Sequence, residues 1–207
     1  MTRMARKKNQ GVRRQQLLDA AFSTLAQCGA GGTRVAGIAA AAGVSVGSVH
    51  YYFPSKDDLL LEATRRDIDD FYHWVVEQLG DVADPLQKLE SVIRWTLPDE
   101  NVHAGWIVLF QFWSRAIYNT PLAALAALFQ ERARALYVSI LEEGQDRGVF
   151  ELESDAETIA RSLMAMIDGL SFQIILRDPS LTVAEAEQMC LDFARRAVGV
   201  TSSGADT

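Results

Sequence analysis

The sequence predicts an all-α fold of nine helices in two domains. Three observations carry this. Apolar residues recur at the helical period in almost every segment, and no stretch shows the alternation of a strand. Glycines, prolines and capping Ser, Thr or Asp cut the pattern into nine runs. The composition supports a folded chain: 207 residues, 49% hydrophobic and 23% charged, enough to bury a real core.

The first helix covers Arg14–Ala26, with Leu17, Leu18, Ala21, Phe22 and Leu25 on one stripe. The run Gly29-Ala30-Gly31-Gly32 breaks it. Thr33 is a suitable N-cap for a second helix carrying Val35, Ile38 and Ala39, and Gly43 suits a left-handed C-terminal stop. Ser45 caps a short third helix through Tyr51, which Pro54 ends. Ser55 then caps a long fourth helix over 56–79, with Asp57 and Asp58 favourably placed in its first turn. A fifth covers 85–96. The sixth, 102–118, contains WIVLFQFWSRAIY and is apolar nearly all round, so it should be central. The seventh spans 121–145, the eighth 155–176 and the ninth 183–198. The tail from 200 to 207 is small and polar, and is expected to be disordered.

Charge is unevenly placed. Residues 1–56 hold eight Lys or Arg against one acid, Asp19, so this segment is +7, while the remainder is −14 and the whole −7. A cationic head on an acidic body suits a polyanion partner. Residues 1–12 read as a flexible basic arm, either a solvated tail or a source of extra phosphate or minor-groove contacts. The segment 13–56 reads as a DNA-binding domain, with the fourth helix from 56 as the link. The segment 57–199 reads as a separate, solvated acidic domain, the one to which the family resemblance given below assigns ligand binding and dimerisation.

Several functions are argued against. No run approaches the roughly 18–20 apolar residues of a membrane span, so no membrane role is expected. The start, MTRMARKKNQG, has no apolar h-region, which points to a cytoplasmic protein. Cys28 and Cys190 have no metal-ligand spacing, and His50, His73 and His103 form no ligand pair, so neither metal nor cofactor is expected. The glycines at 29, 31 and 32 do not complete a dinucleotide fingerprint. Gly43-Val44-Ser45-Val46-Gly47 does match G-x-S-x-G, and a serine hydrolase using Ser45 is one alternative. That motif needs a strand-to-helix turn, however, and an alanine-rich helix precedes it here. No catalytic residue is assigned.

The second and third helices, joined by Ala42-Gly43-Val44, read as a helix-turn-helix. Ala39 to Ala42 supply the small residues such a crossing needs. The third helix then enters the major groove, presenting Val46, Gly47, Ser48, His50 and Tyr51. Ser45, at its start, belongs to the same surface. Tyr52 and Lys56 suit phosphate contacts, as do Thr33 and Arg34 at the second helix's N-terminus.

Among the aromatics, Trp106, Phe110 and Trp113 are either core or the lining of a pocket. Asp168 lies mid-helix on an apolar stretch and needs a partner. That partner is Arg115 or Arg161, or else a cationic ligand held with aromatic faces. Phe172, one turn on, joins this candidate ligand set. The ninth helix carries a stripe of Val183, Ala186, Met189, Cys190, Phe193 and Ala197, either a dimer face or packing for its own chain.

The run TRVAGIAAAAGVSVGSVHYYFPSKDDLL, residues 33–60, resembles the DNA-binding signature of the tetracycline-repressor (TetR) family. The matching positions are Thr33, Ile38-Ala39, Ala42-Gly43-Val44-Ser45, Gly47, Tyr52-Phe53, Lys56 and Leu59-Leu60. His50 departs from the tyrosine most often found there. The stretches 106–121 and 155–176 more weakly resemble the choline-sensing BetI-like branch. The resemblance implies a ligand-responsive repressor that a small-molecule inducer releases from a palindromic double-stranded operator. It also implies a homodimer whose last two helices form a four-helix bundle, which brings Ile159, Leu163, Met166, Met189 and Phe193 to the interface. A constitutive DNA-binding regulator without ligand is the remaining alternative.

Overall fold

A computed structural model of the chain describes residues 3–99 and 104–200. The expected tail at 201–207 lies outside them. Among the described residues there are nine helices and no strand: α1 (Arg3–Gly32), α2 (Val35–Ala41), α3 (Val46–Tyr52), α4 (Lys56–Gly80), α5 (Pro85–Thr96), α6 (Ala104–Ala116), α7 (Thr120–Asp146), α8 (Ala156–Ile175) and α9 (Val183–Ala197). Most boundaries fall within two residues of the sequence reading. The exception is α1, which takes in residues 3–12 and has a break at Gly29, where φ is 69°.

Two compact units share these helices. The first contains residues 1–71 and 104–122, so α6 belongs with α1, α2, α3 and the first part of α4. Its core is Leu17, Leu18, Ala21 and Leu25 of α1, Ile38 of α2, Val49 of α3, Leu59, Leu60 and Ala63 of α4, and Val108 of α6. Each side chain comes from the apolar stripe of its own helix, as the helical period requires. Charged pairs bind α1 to α4 at the rim of this core, Arg14 to Glu62 and Asp19 to Arg66. The Arg14 guanidinium also sits 4.9 Å from the Phe53 ring centre, within cation–π range.

The second unit contains residues 72–103 and 123–207. Here α9 packs on α5 and α8. Ion pairs join α5 to α9 through Arg94–Glu187 at 2.9 Å and Arg195–Glu90 at 2.6 Å. Thr182 and Glu185 form a reciprocal capping box at the start of α9, which satisfies two otherwise orphaned N–H groups. The turn after α7 depends on Gly144, because a Cβ there would lie 2.0 Å from the Phe150 ring.

One expectation is corrected in this unit. α8 is long and apolar enough to cross a membrane by length and composition. Yet Ile159, Ala160, Leu163, Ile167, Leu170 and Ile174 of α8 are buried in the core of this chain. Its hydropathy therefore reflects a central packing position.

Candidate nucleic-acid interface and ligand residues

The axes of α2 and α3 are bent by 100°, within the range of a helix-turn-helix. The turn is built by Gly43, whose φ of 64° only glycine adopts without strain. There Val44 N–H donates to Ala39 O at 2.9 Å and Gly43 N–H to Ala40 O at 3.1 Å, closing α2 as a Schellman motif. Val49 is the inward anchor of α3. The other side of α3 is open: Val46, Gly47, His50 and Tyr51 are exposed, and Ser48 is half-buried. Tyr51 stands edge-on to the half-buried Tyr52, with ring centres 5.1 Å apart, and its hydroxyl accepts from Gln10 at 3.3 Å. Arg34, just before α2, is exposed.

Three of the expected DNA-contact residues carry structural duties. Thr33 is 1% exposed, and its hydroxyl donates to Gly29 O at 2.7 Å. It closes the turn after α1. The N-cap of α2 is Arg34, with no side-chain cap bond. Lys56 donates to Ala30 O and Thr33 O, each at 3.2 Å, so its ammonium holds the same turn. Ser45 spends its oxygen on the cap of α3, accepting from Ser48 N–H at 3.2 Å. Its ordinary extended backbone, φ −76° and ψ 154°, is not the strained elbow of a hydrolase.

The candidate ligand residues divide between the units. Trp106, Phe110 and Trp113 lie together on α6 in the first unit. Their rings pack on one another, with centres 5.4 Å apart for Trp106–Phe110, 5.3 Å for Phe110–Trp113 and 6.3 Å for Trp106–Trp113. Asp168 and Phe172 are in the second unit. Of the two proposed arginines, Arg161, in the same unit as Asp168, pairs with Glu157 at 2.7 Å, while Arg115, in the first unit, pairs with Asp57 at 2.9 Å. Burial pushes the Asp168 carboxyl up to about 6, only partly offset by a hydrogen bond from Gln130.

The surroundings of Asp168 were not legible in the sequence. Tyr137 is buried, and its hydroxyl is 3.0 Å from that of Thr96. Burial raises the Tyr137 phenol far above its ordinary range, and nearby Cys190, Tyr72 and Asp168 add to the effect. Ser171, one turn beyond Asp168, is fully buried, and its hydroxyl has no partner among the described residues. These groups come from α4, α5, α7, α8 and α9, so no local spacing could announce them.

The expected dimer residues also divide. Ile159 and Leu163 have essentially no exposed surface within one chain, so they are core and cannot meet a second copy. Met166 and Phe193 are half-buried, and Met189 is exposed. On the ninth-helix stripe, Ala186, Cys190 and Ala197 are likewise buried in their own chain. The outward stripe of α8 is Ser162, Ala165, Gly169, Phe172 and Leu176.

Comparison with known proteins agrees with this geometry. Residues 17–63 match the family described as bacterial regulatory proteins, tetR family, and residues 85–199, more than half the chain, match the BetI-type transcriptional repressor C-terminal family. The HTH-type transcriptional regulator BetI of Stenotrophomonas maltophilia is 31% identical, covering 81% of this chain and 83% of its own. That of Serratia proteamaculans is 28% identical over 89% and 91%. A transcriptional regulator from Saccharomonospora viridis, solved in complex with choline, is 30% identical with a TM-score of 0.84, covering 89% of this chain and 96% of its own. The chain belongs to the TetR family of ligand-responsive, DNA-binding transcriptional repressors, and its C-terminal part is of the BetI type.

Proposed function

We propose that the chain represses as a cytoplasmic homodimer on a palindromic operator, and that a small organic cation such as choline releases it. The observation that carries the DNA half is the 100° helix pair with one open face on α3. Arg34, Val46, Gly47, Ser48, His50 and Tyr51 form that face, with Tyr52 beside it. Thr33, Lys56 and Ser45 position it. Two copies of α3 would enter successive major grooves about 34–36 Å apart. With its hydroxyl spent as a cap, Ser45 lends nothing to an enzymatic reading.

The dimer would form through α8 and α9. An outward stripe with small residues at Ala165 and Gly169, flanked by Phe172, Leu176 and Met189, allows close helix approach and buries exposed apolar area. For the inducer, Asp168 supplies a partly desolvated carboxylate that has no arginine or lysine partner among the described residues. The choline-bound relative supports a quaternary ammonium as the kind of inducer. Release requires that the cation bind the DNA-free conformation better than the DNA-bound one.

The test is selection of bound duplexes from a random pool, followed by the salt dependence of the winner's affinity and its response to choline. The expected result is an enriched inverted repeat, a steep salt slope and weaker binding with choline. Absence of enrichment at low salt would sink the operator reading. Choline binding that leaves operator affinity unchanged would sink the inducer reading.

A further inference from the structure

A cleft lies wholly within the first unit. It has a volume of about 220 Å³, larger than the roughly 150 Å³ apolar cavity known to hold benzene. Its walls are the end of α1 (Leu25, Ala30), the start of α4 (Leu60, Leu61) and α6 (Val108, Phe112). Two contacts close its edges. Gln111 Oε1 accepts from Ala30 N–H at 2.8 Å, and Arg115 pairs with Asp57 at 2.9 Å.

The charge at the mouth is unbalanced. Asp57 and Asp58 line the cleft against one guanidinium, Arg115, which Asp57 already engages. Among the described residues Asp58 accepts from a neutral donor, the Ser55 hydroxyl, at 2.7 Å on Oδ2. The C-terminal end of α6 adds its negative dipole end beside Arg115 and Asn119. The interior is apolar apart from Thr64, whose hydroxyl donates to Leu60 O at 2.9 Å, and Gln111.

We propose that this cleft is an effector site for a small organic cation with an apolar body. The body would lie between Leu61 and Phe112, with the ammonium at Asp58. This site does not rest on the reading of Asp168. Its walls are the pieces that set the helix-turn-helix. Ala30 O is held by Lys56, which also holds Thr33 O just before α2. An occupant that displaces Gln111 from Ala30, or Arg115 from Asp57, therefore moves the base of α2. Operator affinity then falls, because the occupied state no longer presents α3 at the same angle.

The probe is 2-phenylethylammonium, with 2-phenylethanol as its neutral isostere, titrated calorimetrically into the full chain. Leu61→Trp fills the cleft from its rim, and Asp58→Asn removes the charge while keeping a capping side chain. We expect one cation bound per chain, and the alcohol weaker by about tenfold or more. Leu61→Trp should abolish binding of the cation. Asp58→Asn should bring the cation's affinity down to that of the alcohol. Saturating cation should weaken operator binding in the wild type and leave Leu61→Trp unaffected. Absence of binding, or binding unaltered by Leu61→Trp, overturns the site. Equal affinity for cation and alcohol overturns its charge preference, and binding without an effect on the operator overturns its role as an effector site.

Discussion

Asp168 is a half-buried carboxyl whose charged form desolvation disfavours, and among the described residues no arginine or lysine pairs with it. The folded chain binds its proton more tightly than the unfolded chain, whose value is near 3.8, against about 6 when folded. The stability this gives is fully present below 3.8 and is lost as pH rises through about 6. Asp67, on α4 in the first unit, is also raised by burial from 3.8 to about 6 and works in the same direction. Asp168→Asn should therefore make the ligand-free chain more stable at pH 7, by on the order of 1–3 kcal/mol, with little change at pH 4. Urea denaturation at the two pH values checks this, and equal stability of wild type and variant at pH 7 would refute it. The same variant should lose cation binding, as expected where a site stores unfavourable energy until its ligand arrives. Lys56 shows the opposite economy. Lys56→Met strands the Ala30 and Thr33 carbonyls and should cost about 1–3 kcal/mol, together with operator affinity. An unchanged denaturation midpoint would contradict the clamp.

The helices owe their ends to local chemistry. Ser45 caps α3, Asp84 caps α5, Asp155 caps α8 and the Thr182–Glu185 box caps α9. Each was legible as a polar residue before an apolar run, or would be to a closer reading of the caps. The turn between α7 and α8 is less forgiving than any cap. Gly144→Ala would drive a methyl into the buried Phe150 ring. It should cost about 1–3 kcal/mol by overpacking, and pairing it with Phe150→Leu should recover part of the loss. Thermal melts of the single and double variants test this, and an additive double variant would exclude the clash. The misreading of Thr33 belongs here as well. A threonine before a helix has two uses for its hydroxyl, and at this place the break at Gly29 offers a carbonyl at 2.7 Å before α2 begins.

For the molecule as a whole, the open stripe on α8 is the surface on which the dimer reading depends. Leu176 is 64% exposed and Phe172 46%, although both stand on a helix whose other side is buried. Leu176→Glu should shift the chain from dimer to monomer in sedimentation, and weaken operator binding by at least tenfold as the second half-site is lost. A dimer that survives this change would place the interface elsewhere.

By itself the sequence determined the number, order and approximate bounds of the helices, the glycine turn of the DNA-binding head and the identity of the family. All of these rest on interactions within about one helical turn, or on a motif contiguous in the chain. The tertiary structure decided which apolar residues are core and which polar ones are spent. It put Ile159 and Leu163 inside and Ala165 and Leu176 outside. It gave Arg115 to Asp57, tied Lys56 to two carbonyls and gathered Tyr72, Thr96, Tyr137 and Cys190 in the unit of Asp168. The physical reason is that a helix apolar on several sides does not encode which side its own chain will cover. That depends on partners contributed from distant parts of the sequence, and burial and pairing are fixed only when those partners pack.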